Sequence, residues 1–209
     1  MANRHIAIAG NIGAGKTTLT GRLAQVLGWT AQYENPDSNP YIADFYKDMR
    51  RWGFNMQIHF LYSRIAKLKE LRAGNENIIQ DRTIYEDIYI FAPNLVEMGV
   101  MSQRDYVCYA NLFEQIKDFL QPPDLLIYLR GSDAALKARI EQRNRHYEQS
   151  IRTEYLRALN RRYDSWIETY DLGPVYIVDI DRSNFNHNEK DLQRIAQDVR
   201  QHLQLPQTA

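Results

Sequence analysis

Cysteine is almost missing from this chain: Cys108 is the single one in 209 residues. No internal disulfide can form, so nothing here requires an oxidising compartment. Ten glycines and seven prolines make about 8% of the chain against a usual share of about 12%. That scarcity excludes a collagen, a low-complexity tail or a long disordered linker. No apolar run approaches the roughly 20 residues needed to span a bilayer. Asn3, Arg4 and His5 also interrupt the opening residues where a secretory signal would be apolar. Neither sign of charge is in excess, with 26 Lys+Arg against 26 Asp+Glu, which argues against broad steering towards nucleic acid. What is present is ordinary globular composition: 44% hydrophobic and 25% charged residues. A single domain over 1–209 is expected, in the cytoplasm, with small molecules rather than nucleic acid or membrane as partners.

One stretch departs from neutrality. Residues 137–162 hold eight Lys and Arg side chains against three Glu. Charge alone reads this as a solvated helical face.

Five short runs rich in Ile, Val, Tyr and Leu read as strands: His5–Ala9, Thr30–Glu34, Asn77–Asp81, Leu125–Leu129 and Val175–Asp179. Helix-period segments separate them. Thr17–Leu27 repeats Leu19, Leu23 and Leu27 and stops at Gly28, a residue type suited to a helix C-terminus. Asn55–Arg72 sets Ile58, Leu61, Ile65 and Leu68 on one stripe, and Glu189–Leu203 does the same with Leu192, Ile195, Val199 and Leu203. Strands alternating with helices imply parallel pairing and right-handed crossovers. The expected fold class is α/β, a three-layer sandwich around a five-stranded parallel sheet.

Gly10-Asn11-Ile12-Gly13-Ala14-Gly15-Lys16-Thr17 fits G-x-x-x-x-G-K-[ST] between a strand and a helix, the setting this phosphate loop requires. Its glycines let successive N–H groups converge on phosphate oxygens, helped by the positive end of the following helix. Lys16 would reach the β and γ phosphates, and the Thr17 hydroxyl would ligate Mg²⁺. A nucleoside triphosphate is the expected ligand, with Thr18 completing the loop's run into the helix. No Asn-Lys-x-Asp segment is present, so a guanine-reading GTPase is excluded.

Ligands of open parallel sheets sit outside the carboxyl ends of the strands. Two further strands end there in charge, the second at Glu34 and the third at Asp81-Arg82. A hydroxyl acceptor must lose a proton as it attacks phosphorus, and a carboxylate can take it. The transferring phosphoryl group carries spread negative charge that an arginine stabilises. Glu34 and Arg82 form such a base-and-clamp pair, although a strand-end Glu is often a solvated surface group.

Five blocks now stand in order: GNIGAGKTTL at 10–19, Glu34, YKDMRRWGFNMQ at 46–57, DRTIYED at 81–87 followed by Ile90-Phe91, and RIEQRNRHYE at 139–148. Together they resemble the deoxyribonucleoside kinase family, its bacterial deoxyadenosine kinases in particular, over nearly the whole chain. The resemblance implies a P-loop NTPase-like nucleoside kinase fold with an arginine-rich lid at about 139–150. It also implies transfer of the ATP γ-phosphoryl to the 5′-hydroxyl of a deoxyribonucleoside. By position, Glu34 would orient or deprotonate that hydroxyl and Arg82 would bridge it to the phosphates. Asp81, where many animal members have Glu, would hold Mg²⁺ or take the proton itself; which carboxylate is the acceptor stays open.

Tyr46 and Glu148 match the pair that grips the sugar 3′-hydroxyl, while a plain core aromatic is the other reading of Tyr46. Gln57 and Arg64 lie two helical turns apart on one side, and Gln57 can donate and accept at once, as an adenine-type edge requires. Arg64 and Asp87 resemble the charged pair aimed at the far edge of the base, a pair that thymidine-preferring relatives usually lack. They could equally be a structural ion pair. Phe91 would stack on the base. Deoxyadenosine is therefore expected first, with deoxyguanosine or deoxycytidine next.

Arg139 and Arg143, four apart on a helix, with Arg145 just beyond, match the lid that closes over the triphosphate. Arg152, Arg157, Arg161 and Arg162 read as solvated helix charges. Asn184 and Phe185 match the loop that borders the adenine of ATP. Family members are commonly homodimers, and Tyr109, Leu112, Phe113 and Ile116 of a Tyr106–Phe119 helix could supply the face or belong to the core. Two other classes compete: a nucleoside monophosphate kinase of the thymidylate kinase type, and a non-catalytic nucleotide-binding regulator.

Overall fold

Alternation along β1 (His5–Gly10) divides the molecule into layers. Ile6 and Ile8 point into one core and Ala7 and Ala9 into another, and all four are fully buried. Such a strand has no polar face because both sides are covered, as expected for a central parallel strand. The computed structural model describes residues 3–205, with the side chains of 68–73 and 149–150 outside the description.

Four strands flank or extend β1: β2 (Thr30–Gln32), β3 (Ile78–Asp81), β4 (Leu125–Arg130) and β5 (Val175–Asp179). Their order is β2-β3-β1-β4-β5 and every pairing is parallel. The five-stranded sheet expected from the sequence is therefore present. One strand is shorter than expected: β2 stops at Gln32, opposite Gln80 of β3. Glu34 stands two residues past the strand, on the loop.

The core on the Ile6/Ile8 side is closed by α1 (Lys16–Leu27) and α9 (Glu189–His202) through Leu19, Leu23, Leu192, Ile195 and Val199. Gly28 ends α1 in the left-handed conformation, φ 68°, as its position after Leu27 suggested. The core on the other side is larger and aromatic. It is covered by α2 (Ile42–Lys47), α3 (Met49–Ala73), α6 (Gln103–Lys117) and α8 (Thr153–Glu168). Each fully buried large apolar side chain in these layers stabilises the fold by about 1.5–3 kcal/mol. Between β3 and α6 the chain makes one turn, α4 (Ile84–Glu86), a π-helical turn at Asp87–Phe91, and α5 (Ala92–Glu97). After β4 comes α7 (Asp133–Arg143), and a 3₁₀ turn at His146–Ser150 joins it to α8. Among the described residues no helix is long and apolar enough to cross a membrane.

The long helix begins six residues before the expected Asn55, at Met49. Its stripe is also displaced. Leu61 is buried, but Ile58 and Ile65 are only half-buried, whereas Gln57 and Arg64 are 1% and 5% exposed; Leu68 lies outside the described side chains. The most hidden face of α3 carries polar groups because it borders a cleft. In α6, Tyr109 and Phe113 are core residues, Ile116 packs beside them and Leu112 faces out. Most of that stripe belongs to the core. Of the arginines read as solvated, Arg157 is exposed as expected while pairing with Asp133 at 2.9 Å, and Arg162 is half-buried, holding Pro93 O at 3.1 Å together with Glu97.

Candidate active site

The phosphate loop leaves β1 at Gly10 and enters α1 at Lys16, as its sequence requires. Gly13 and Gly15 have φ of 83° and 93°, a region that costs any residue with a Cβ. At Gly13 a Cβ would also stand 2.6 Å from the Leu136 carbonyl of α7. The absence of that side chain lets the loop pass directly under the helix that leads to the lid. Lys16 Nζ donates to Gly10 O at 2.8 Å and Asn11 O at 3.0 Å, inside the loop it serves. Burial, reinforced by Arg82, lowers its ammonium to about 8. Asn11 is buried, and its amide donates to Leu156 O and Asn160 Oδ1 of α8.

Parallel pairing of β1 with β3, Ile8 opposite Asp81, brings the end of β3 beside this loop. Thr17 Oγ1 donates to Asp81 Oδ2 at 2.5 Å, while Asp81 Oδ1 is buried with no hydrogen-bond partner among the described residues. Burial pushes the Asp81 carboxyl up, against the pull of Lys16. Arg82 follows in the left-handed region, φ 67°, which costs a non-glycine residue about 1–3 kcal/mol and marks a turn held by its surroundings. Thr83 then caps α4, its N–H donating to Glu86 Oε2 at 2.7 Å.

Turned in this way, Arg82 reaches across the cleft. Its Nε lies 3.0 Å from Glu34 Oε2, and its guanidinium sits 4.4 Å over the Phe91 ring. Arg64 binds Glu34 with one nitrogen and Asp87 with another. Glu34 thus joins two guanidiniums, and Arg64 joins two carboxylates. Burial pushes the Glu34 carboxyl up, but Arg82, Arg64 and Lys16 more than reverse it and hold it below its ordinary value. Burial pushes Asp87 up to about 7, against the same Arg64. Arg64–Asp87 is an ion pair, as expected, with a second arm to Glu34 that the sequence did not reveal.

These groups line one cleft. Lys16 and Thr17 enter it from the phosphate loop and Asp81 and Arg82 from the end of β3, and Glu34, Tyr46, Gln57, Arg64, Asp87, Phe91 and Glu148 line the rest. Gln57 Oε1 is buried without a partner among the described residues. Tyr46 stacks on Tyr147, ring centroids 5.8 Å apart, and burial drives its phenol well above its ordinary value. Apolar walls come from Phe45, Met56, Phe60 and Tyr155. The sequence does not distinguish these from core residues, because a side chain facing a cleft and one facing a core repeat at the same period.

The lid residues separate. Arg143 chelates Glu148 through Nε at 3.0 Å and Nη2 at 2.6 Å, and Arg145 lies 3.7 Å from the same carboxylate; all three line the cleft. Arg139, expected to join them, instead donates to Ala14 O at 3.0 Å and Ile180 O at 3.1 Å, bracing the phosphate loop from behind. Phe185, expected beside the adenine of ATP, buries its ring in the α1–α9 core and packs against Gly15. Asn184 is exposed beside it, its N–H bound to Asp191 at 2.7 Å. Tyr147 OH, a residue not expected here, donates to Asp37 at 2.6 Å across the cleft mouth.

A loop of the phosphate-binding pattern, a carboxylate fixed by two cations and a cleft lined by polar groups meet at one site, an arrangement suited to handling phosphate. Known proteins similar to this chain are kinases. A deoxyadenosine/deoxycytidine kinase of Bacillus subtilis is 37% identical over 199 residues, 94% of this chain and 92% of its own length. A deoxyadenosine kinase of Dictyostelium discoideum is 42% identical over 164 residues, 78% of this chain and 66% of its own. Among solved structures, a deoxyadenosine kinase from M. mycoides, determined with dCMP as product and a flexible dCDP, superposes with a TM-score of 0.84. It shares 31% identity and covers 94% of this chain and 99% of that one. The family described as deoxynucleoside kinase matches residues 6–204, and this chain belongs to it.

Proposed function

We propose that the enzyme transfers the γ-phosphoryl of ATP to the 5′-hydroxyl of a deoxyribonucleoside, deoxyadenosine ahead of the others, giving a 5′-monophosphate for nucleotide salvage. One observation carries the reading: Glu34 sits between Arg64 and Arg82 in the cleft that Lys16 and Thr17 of the phosphate loop also line. A neutral sugar alcohol suits that position. An acceptor that already carries a phosphate, as a thymidylate kinase substrate does, would bring like charge to the carboxylate at a cost. A nucleotide-binding regulator would have no use for this chain of buried ion pairs beside its loop.

In this reading the 5′-oxygen lies by Glu34, which orients it and takes its proton, while Arg82 stabilises the phosphoryl group in transit. Thr17 and Asp81 present two hard oxygens 2.5 Å apart, with Asp81 Oδ1 bare. That pair fits Mg²⁺, which takes few protein ligands and completes its shell with phosphates and water. When bound, the ion neutralises phosphate charge. The bare Gln57 Oε1 is placed to accept from an exocyclic amino group while its Nε2 donates to a ring nitrogen. Relatives named for deoxyadenosine, deoxyguanosine and deoxycytidine all use amino-bearing bases. Tyr46 and Glu148 would take the 3′-hydroxyl, and Arg143 and Arg145 the triphosphate.

Purified enzyme with ATP and Mg²⁺ should phosphorylate deoxyadenosine fastest among the four deoxynucleosides. Phosphorylation of dAMP or dTMP with none of the nucleosides accepted would overturn the reading. On the same panel, Arg64→Met combined with Asp87→Ala should lower the deoxyadenosine/thymidine ratio of kcat/KM by about tenfold or more, the discrimination of a good polar pair at a base edge. An unchanged ratio assigns the pair to structure alone.

Lys16 sets a basic limit. The protonated form is the phosphate ligand, and with its ammonium lowered to about 8 that form is present below pH 8 and lost as pH rises through it. The expected result is that kcat/KM for ATP, which reports the free enzyme, falls above about pH 8. Bound phosphate favours the cation, so kcat should fall later. A kcat/KM profile flat to pH 10 would place the ammonium at an ordinary value.

A further inference from the structure

Glu86 lies outside the cleft, is fully buried and accepts more hydrogen bonds than a helix cap needs. Oε2 takes the Thr83 N–H at 2.7 Å and its hydroxyl at 3.4 Å. That alone completes the cap of α4, the reciprocal arrangement of a Thr-x-x-Glu box. Oε1 goes further, accepting the Tyr163 hydroxyl of α8 at 2.7 Å and the N–H of Gly10 at 3.3 Å. Gly10 is the first residue of the phosphate loop. Thr83 is the residue after Arg82, whose own N–H is held by Ile8 O of β1 at 3.0 Å. The peptides on both sides of the left-handed Arg82 are thus tied to β1, one by the strand itself and one through Glu86.

We propose that Glu86 is a positioning residue that keeps Arg82 aligned with the phosphate loop, so that the arginine meets the phosphoryl group only in the geometry of transfer. It touches neither substrate. Removing its grip on Gly10 and Thr83 leaves both binding ends of the cleft intact and loosens the distance between them. An error of about 1 Å in such placement costs up to about 10²-fold in rate. The proposal rests on the phosphotransferase reading above, in which Arg82 stabilises the transferring group.

The test is Glu86→Gln in the full-length enzyme, with wild type assayed beside it for ATP-dependent phosphorylation of deoxyadenosine. The amide supplies one acceptor oxygen where the carboxylate supplies two; the Tyr163 and Thr83 hydroxyls can reverse their roles, but the N–H groups of Gly10 and Thr83 cannot, so one of those two loses its acceptor. The expected result is a kcat lower by about tenfold or more, with KM for ATP and deoxyadenosine each within about twofold. Combined with Arg82→Met, the substitution should add little further loss, since residues acting as a unit are not additive. Full kcat in the folded variant, a rise in both KM values, or a loss that multiplies with the Arg82 change would overturn the positioning role. Wild type with no deoxynucleoside kinase activity would instead reject the function itself. If the variant does not accumulate folded, native-state amide exchange on wild type decides the matter. Gly10 and Thr83 N–H should be protected like the sheet interior, and rapid exchange at either one defeats the proposal.

Discussion

Glu34→Gln is expected to lower kcat by at least about 10²-fold, the lower range for a removed general base. The amide keeps the length and shape of the side chain but cannot carry the proton away. It also withdraws the negative charge shared by Arg64 and Arg82. Glu34 stands on a loop outside the two apolar cores, so the change falls on its ion pairs with Arg64 and Arg82 rather than on the sheet. Steady-state kinetics at saturating ATP and deoxyadenosine, with a thermal melt to confirm folding, make the measurement. Near-normal turnover would remove Glu34 as proton acceptor and give that role to Asp81, whose raised carboxyl is the stronger base once ionised. The two carboxylates are driven in opposite directions, Asp81 upward by burial and Glu34 downward by its arginines, a pattern that separates the duties of paired carboxyls.

Arg82→Met should cost about 10²–10³-fold in kcat, the loss when a preorganised donor to developing phosphoryl charge is removed. Met retains an unbranched stem to pack near Phe91, so the change falls mainly on the guanidinium that now lies over that ring. Deoxyadenosine KM should move less than kcat, since the other contacts, Gln57 and the Arg64–Asp87 pair, are untouched. A large rise in KM with unchanged kcat would make Arg82 a ground-state binding group and leave charge stabilisation to the lid arginines. Arg143 and Arg145 are held at Glu148, within the same cleft.

Most of the architecture and the donor end were legible because each rests on a local pattern. The phosphate loop is contiguous, the strands are runs of β-branched and aliphatic residues, and Leu192, Ile195, Val199 and Leu203 repeat at helical spacing and are all buried. Glu34 was found at a strand end, although the ladder closes two residues sooner: Tyr33 and Glu34 look like strand residues, but the pairing of β2 with β3 ends at Gln32 and Gln80. What escaped is what depends on residues far apart in sequence. Arg139 supports the loop, and Phe185 is core, because α7 and the segment after β5 approach the phosphate loop from beneath. Glu86 did carry a signal, the Thr-x-x-Glu spacing before an apolar run, but that signal announces only a helix start. Its bonds to Gly10 and Tyr163 join residues 76 and 77 positions away, which no local spacing can report.

The alignment of β1 with β3 has a last consequence. Ile8 faces Asp81, and the same ladder that seats Ile8 in its core sets Asp81 against Thr17. Sliding one strand by a single position would move the carboxylate about 3.3 Å and carry each buried side chain of that strand into the opposite core. A mispaired chain is thus penalised by packing, small side chains of one core trading places with large ones of the other, before it could ever be tested for turnover. Tolerance to drift belongs to the far margin of the sheet, at the exposed positions of β5 and α9, whose substitutions leave the reacting groups where they are.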